Sequence, residues 1–281
     1  MPYSQTAMHY RELPCHDRLA PLVECFWASE NSPAATALTR VVPDGCIDII
    51  FTCEATPQTD TCQLRLVGPM TAPFIFSADN PTTNLGVRFR PGGAPSLLGI
   101  ASRELQDRHP TLREAWGNPA KAVLDRLAET PSLGTRLDLL QDFLLRRLDS
   151  AAGIDPTLHA LIRRIETEDE PGPVEWMARS HGYGPRRLRR AFDRWVGLSP
   201  KQFSRIMRFQ RLLARLRADG SGNLARQALE CGYYDQPHMN RDFKRLAGVS
   251  PREFHAEAAK RDEEKARRVS DSYKTSLEAS G

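Results

Sequence analysis

The sequence predicts an α+β protein: an amino-terminal small β-sheet or barrel domain with flanking helices, then an all-α domain built as a double helix-turn-helix. Three observations carry that prediction. Short β-rich pieces cut by turn residues fill 38–90, helical periodicity takes over after Gly93, and a self-similarity at a spacing of about 50 residues runs through 174–254.

Length and composition bound the rest. At 281 residues the chain exceeds what one hydrophobic core usually fills, so two domains are expected, over 1–152 and 156–260, with 261–281 a flexible tail rich in charge and Ser. Hydrophobic residues at 40% supply enough apolar mass for two cores and exclude wholesale disorder. No window approaches 18 apolar residues, and no basic segment followed by an apolar one opens the chain, so a cytoplasmic protein with no membrane partner is expected. Six cysteines, at 15, 25, 46, 53, 62 and 231, lack the dense spacing of a disulfide-stapled domain and are expected as reduced, mostly buried thiols.

The net charge of +4 hides an asymmetry. Residues 156–260 hold 20 Lys plus Arg against 12 Asp plus Glu, whereas 1–155 hold 14 against 18 and 261–281 hold 5 against 5. A basic half beside an acidic half points to a polyanionic partner for the basic half.

Strands are expected at Arg40 to Val42, Ile47 to Cys53, Leu64 to Val67, Phe74 to Phe76 and Leu85 to Phe89, bounded by Pro43-Asp44-Gly45, Gly68-Pro69, Asn80-Pro81 and Pro91-Gly92-Gly93. Helical spacing follows at Leu97, Leu98 and Leu105, at Val123, Leu124 and Leu127, and from Leu137 to Leu148. Helix breakers at 151–156 mark the domain boundary, and Glu168 to Pro173 reads as a turn between two short helices.

The repeat is the strongest signal. Arg190, Phe192, Gly197, Ser199, Pro200 and Phe203 fall on Arg241, Phe243, Gly248, Ser250, Pro251 and Phe254, each displaced by 51 residues, while Ala178, Gly182 and Tyr183 fall on Ala228, Gly232 and Tyr233, displaced by 50. Each copy reads as a short helix, a turn at glycine and a second helix with an apolar inner face. In the first copy Val174, Met177 and Ala178 face inward, Gly182 ends the helix in the left-handed region, and Pro185 opens a second helix that buries Leu188, Phe192 and Trp195. Its opposite face carries Arg186, Arg187, Arg190 and Arg194. In the second copy Leu224, Ala228 and Leu229 are expected to pack the first helix, and Asp235 to cap a second helix burying Met239, Phe243 and Leu246, with Gln236, His238, Asn240, Arg241 and Lys244 outward. Ser199-Pro200 opens a long connecting helix with Phe203, Ile206, Phe209, Leu213 and Leu216 on one side and Arg205, Arg208, Arg211 and Arg215 largely elsewhere.

Two such units rigidly joined can set two recognition helices into successive major grooves, roughly 34 Å apart on one face of B-DNA. Arginine suits the work, because its planar fork reads guanine or clamps phosphate. A plain soluble bundle would also carry Arg outside, but it would not require the repeat, the glycine turns and the connecting helix together.

Over 156–256 these residues resemble the AraC/XylS family of bacterial transcription regulators. The resemblance is densest in Gln227-Ala228-Leu229-Glu230-Cys231-Gly232-Tyr233-Tyr234-Asp235-Gln236 and on to Gly248-Val249-Ser250-Pro251, and it departs at Gly184, where the family usually has a capping Ser. It implies DNA contact by Arg186, Arg187 and Arg190 and by Gln236, His238 and Arg241. It further implies double-stranded promoter DNA and RNA polymerase as partners, a small-molecule effector, and a homodimer among the open possibilities; activation and repression are both left open. Pro43-Asp44-Gly45-Cys46-Ile47-Asp48-Ile49, Gly68-Pro69 and Phe89-Arg90-Pro91-Gly92-Gly93-Ala94 resemble an uncharacterised domain found ahead of this module, which implies a sensing or dimerising role.

Enzyme readings fare worse. Cys46, Cys53 and Cys62 lack the close spacing that holds zinc, and the first domain offers only His9, His16 and His109 for a metal centre. Asp44 and Asp48 fit a tight turn at Gly45 better than an acid–base pair. Neither catalytic residues, metal nor cofactor is expected, and an enzyme seated in 1–155 is the rival reading.

Overall fold

A computed structural model of the chain describes residues 10–31, 39–55, 61–76, 80–151, 153–168, 174–180, 182–219 and 223–258. Expectations for the tail 261–281, for the turn residues 169–173 and for the Met177 side chain fall outside the described residues.

The amino-terminal domain is built on an open five-stranded antiparallel sheet in the order β1-β2-β7-β4-β5, formed by β1 (Arg11–Leu13), β2 (Val23–Asn31), β4 (Ile47–Glu54), β5 (Thr61–Val67) and β7 (Thr82–Phe89). β3 (Thr39–Val41) and β6 (Phe74–Phe76) pair separately. The expected strands are present, and of the two expected forms the domain takes the sheet. β1 and β2 went unread in the sequence because β2 is buried on both faces, which erases the alternation that marks a half-exposed strand, and its partner β7 lies far along the chain.

One sheet face, with Phe26, Ile49, Phe51, Leu66, Val87 and Phe89, packs on helices that follow it: α1 (Ala94–Leu98), the 3₁₀ turn Ser102–Leu105, α2 (Leu112–Trp116), α3 (Asn118–Glu129) and α4 (Leu133–Leu148). Thr111 and Glu114 close a capping box at the start of α2, each bonding the other's backbone N–H. The opposite sheet face carries a buried polar cluster. Arg88 there is 2% exposed, with Asp48 at 3.6 Å and Asp44 at 3.9 Å, and the Trp27 indole donates to Asp48 at 3.1 Å. Asp44 also accepts the Cys46 N–H at 2.9 Å across Gly45, whose φ is +80°, so the carboxylate does make the expected turn.

The thiol expectation is corrected at one pair. Cys53 and Cys62 are directly opposed on β4 and β5 with Cα atoms 4.2 Å apart, and they form a disulfide; Cys15, Cys25, Cys46 and Cys231 take no part in a disulfide. Strand register brings this pair together, and register is decided by the sheet rather than by spacing along the chain.

The helical domain comprises α5 (Pro156–Thr167), α6 (Val174–Ser180), α7 (Pro185–Trp195), α8 (Pro200–Asp219), α9 (Leu224–Glu230) and α10 (Gln236–Ala247), with a last helix over 251–258. Its core is continuous from Leu158 to Ala247 and takes in Val42 from the first domain. Among the described residues, no helix is long and apolar enough to cross a membrane.

Candidate nucleic-acid interface

Both helix-turn-helix units are built as the repeat requires. In the first, Gly182 at φ +75° turns the chain, Tyr183 bonds back to Ala178, and Pro185 occupies the first turn of α7. Leu188, Phe192 and Trp195 are buried, leaving Arg186, Arg187, Arg190 and Arg194 exposed on the other face. In the second, Gly232 at φ +77° makes the equivalent turn and Asp235 caps α10 by accepting the His238 N–H at 2.7 Å. Met239, Phe243 and Leu246 are buried, with Asn240, Arg241 and Lys244 exposed.

One expected core position is wrong. Leu229 is 59% exposed, and Gln227, at 3%, takes its place beside Leu224 and Ala228. The buried stripe of α9 follows 224, 227, 228 and 231, and position 229 lies about 100° away from 228 around the helix.

The six candidate contact residues do not stand alike. Arg186, Arg190 and Arg241 project into solvent. Arg187 is exposed but anchored, its guanidinium 4.4 Å from the Tyr183 ring centre and 3.5 Å from Asp155. Tyr183 in turn donates to Asp155 at 2.8 Å, and this hydrogen bond, first among several, holds the Asp155 carboxyl below its usual range. Gln236 is half-buried at the first position of α10. His238 is half-buried too, set edge-on to Tyr233, with Nε2 3.8 Å from Asp242.

Arginines of the connecting helix act as struts. Arg205 lies 3.5 Å from the buried Asp242, Arg208 donates to the Gly232 carbonyl at 2.8 Å and stacks on Tyr233, Arg211 donates to the Ile165 carbonyl at 3.1 Å, and Arg215 pairs with Glu230. Arg205, Arg208, Arg211 and Arg215 of α8 are thus turned to neighbouring elements, whereas α7 and α10 each present exposed basic residues on the face opposite their buried stripe. Sequence reasoning missed Asp155, which anchors Arg187 from another helix, and Tyr234, 86% exposed immediately before the α10 cap.

Residues 11–111 match the family model of a domain of unknown function (DUF6597), and residues 177–257 match one described as a helix-turn-helix domain. No curated protein is significantly similar to the chain. Among solved structures the chain is similar to ToxT from Vibrio cholerae in its P21 form, at 10% identity and a TM-score of 0.43 over 82% of this chain and 96% of that one. It is also similar to ToxT with bound unsaturated fatty acid, at 11% identity and a TM-score of 0.39 over 88% and 93%. Turns, buried faces and the family match agree: residues 177–257 form a helix-turn-helix domain, and residues 11–111 ahead of it belong to a domain of unknown function.

Proposed function

We propose that the protein is a sequence-specific, double-stranded DNA-binding transcription regulator that sets α7 and α10 into successive major grooves. One observation carries the reading: two repeat-related helices present exposed arginine faces while both are fixed to the single connecting helix α8. Arg186, Arg187 and Arg190 on α7, and Gln236, His238 and Arg241 on α10, make the base and phosphate contacts. The amino-terminal domain senses a small-molecule effector or mediates a homodimer, and RNA polymerase is the partner at the promoter; catalysis forms no part of the reading. Because that domain touches the helical core through Val42 and through Gly45 against Phe203, an effector bound there would bias the arrangement of the DNA-reading helices.

The test is selection of genomic fragments by the purified protein at two salt concentrations, with the Arg190→Ala/Arg241→Ala variant in parallel. The expected result is a bipartite motif with half-sites about one helical turn apart, lost in the variant. Sequence-blind binding sensitive only to salt would mean a phosphate patch instead.

A further inference from the structure

The two recognition helices end on equivalent glycines that both meet the amino-terminal domain. Gly197 and Gly248 lie 51 residues apart, with φ of +79° and +77°. A Cβ at Gly197 would stand 2.6 Å from the Ser102 carbonyl oxygen and 2.8 Å from Pro69, and one at Gly248 would stand 2.9 Å from Arg40 Nη1 and 3.3 Å from Pro73. Pro69 and Pro73 sit near the two ends of the single segment that joins β5 to β6.

A hydrogen bond accompanies each contact. The buried Ser102 hydroxyl donates to the carbonyl of Trp195, the last residue of α7, at 2.9 Å. Arg40 Nη1 donates to the carbonyl of Ala247, the last residue of α10, at 2.7 Å, while Nη2 is held by Glu257 at 3.3 Å. Carbonyls at a helix end have no intrahelical donor, and a cation is favoured there by the helix dipole. Neither helix needs these bonds to stop, because Gly197 already bonds to Phe192 and Gly248 to Lys244, each at 2.8 Å.

The connecting helix gives the two units a narrow footing. Phe192 packs on Phe203 and Phe243 on Phe209, and six residues of α-helix separate those two footings by about 9 Å. The amino-terminal domain grips the far ends of α7 and α10 and rests on α8 itself, where Gln210 donates to the Pro43 carbonyl at 2.6 Å. One body thus bridges three elements.

We infer that Arg40 and Ser102 are positioning residues that fix the separation and tilt of α7 and α10, so that the amino-terminal domain selects which half-site spacing the protein accepts. This rests on the reading of α7 and α10 as DNA-contacting helices.

The experiment uses the full chain and duplexes carrying its selected half-sites, with the gap stepped one base pair at a time across about one helical turn. Wild type, Arg40→Ala, Arg40→Lys and Ser102→Ala are compared, with circular dichroism to confirm folding and a duplex bearing one half-site as the reference. Wild type is expected to favour one spacing sharply. In Arg40→Ala the ratio of best spacing to its neighbours falls about ten-fold, the size of effect one charge-assisted hydrogen bond can supply. Ser102→Ala, a change of one buried oxygen, flattens the profile in the same direction. Arg40→Lys restores most of the preference, and single half-site affinity does not move. An unchanged spacing profile in folded Arg40→Ala and Ser102→Ala overturns the inference, as does tighter binding by Arg40→Ala at every spacing, which would make the contact a restraint on binding. Sequence-blind binding by wild type would instead sink the DNA-reading proposal beneath it.

Discussion

Asp235 accepts the backbone N–H of His238 at 2.7 Å, and this bond closes the start of α10. The start of α7 has no counterpart, because its cap position is Gly184. Gly184 has an extended backbone, φ −69° and ψ 158°, and no atom lies within 4 Å of where its Cβ would be. Gly184→Ser is therefore expected to stabilise the protein by about 0.5–1 kcal/mol, through a cap bond and a less free unfolded chain. Asp235→Ala should cost about 1 kcal/mol. Urea denaturation of both variants checks the pair, and a destabilised Gly184→Ser would refute the capping account of α7.

Trp27 lies over Gly86 on the polar face of the sheet, where a Cβ on Gly86 would fall 2.0 Å from the indole ring. Gly86→Ala is expected to cost about 1–3 kcal/mol by overpacking. In a Trp27→Ala background the same change should cost little, and a double-mutant cycle measures the coupling.

Asp155 links pH to the anchoring of α7. The Tyr183 hydroxyl, then the Thr157 N–H, hold its carboxyl below the ordinary aspartate value of 3.8. A depressed folded pKa means that the contribution is complete above the unfolded value and disappears as pH falls through the folded one. The difference in melting temperature between wild type and Asp155→Asn should be constant near neutral pH and shrink below 3.8. A difference that grew on acidification would contradict the sign.

Thiol counting checks the sheet register. Alkylation of the unfolded, unreduced protein should add four groups and alkylation after reduction six, because Cys53 and Cys62 are linked. In the native protein Cys25 and Cys46 should react slowly. Burial pushes the Cys25 thiol up to about 11 and the Cys46 thiol well above its usual range. Six groups added without reduction would show that the strands pair in another register or that the thiols stay reduced.

Much of the helical domain was legible because its information is local. Gly182, Pro185 and Asp235 act within one turn of where they stand, and the spacing of Leu188, Phe192 and Trp195 fixes a buried face by itself. Leu229 failed because an apolar residue at the edge of a stripe is settled by what packs against it. Arg205, Arg208, Arg211 and Arg215, which the sequence placed only off the apolar side of the connecting helix, are struts, since their partners Asp242, Gly232, Ile165 and Glu230 come from other elements.

The sequence by itself determined the fold class, the two helix-turn-helix units and the arginine faces of α7 and α10, because helix periodicity, capping and turn chemistry act over a few residues. Tertiary structure alone decided the pairing of β2 with β7, the Cys53–Cys62 bond, the anchoring of Arg187 on Asp155, and the reach of Arg40 and Ser102 to the ends of α7 and α10. Each of these joins residues that no periodicity relates, and only a packed chain brings such groups within bonding distance.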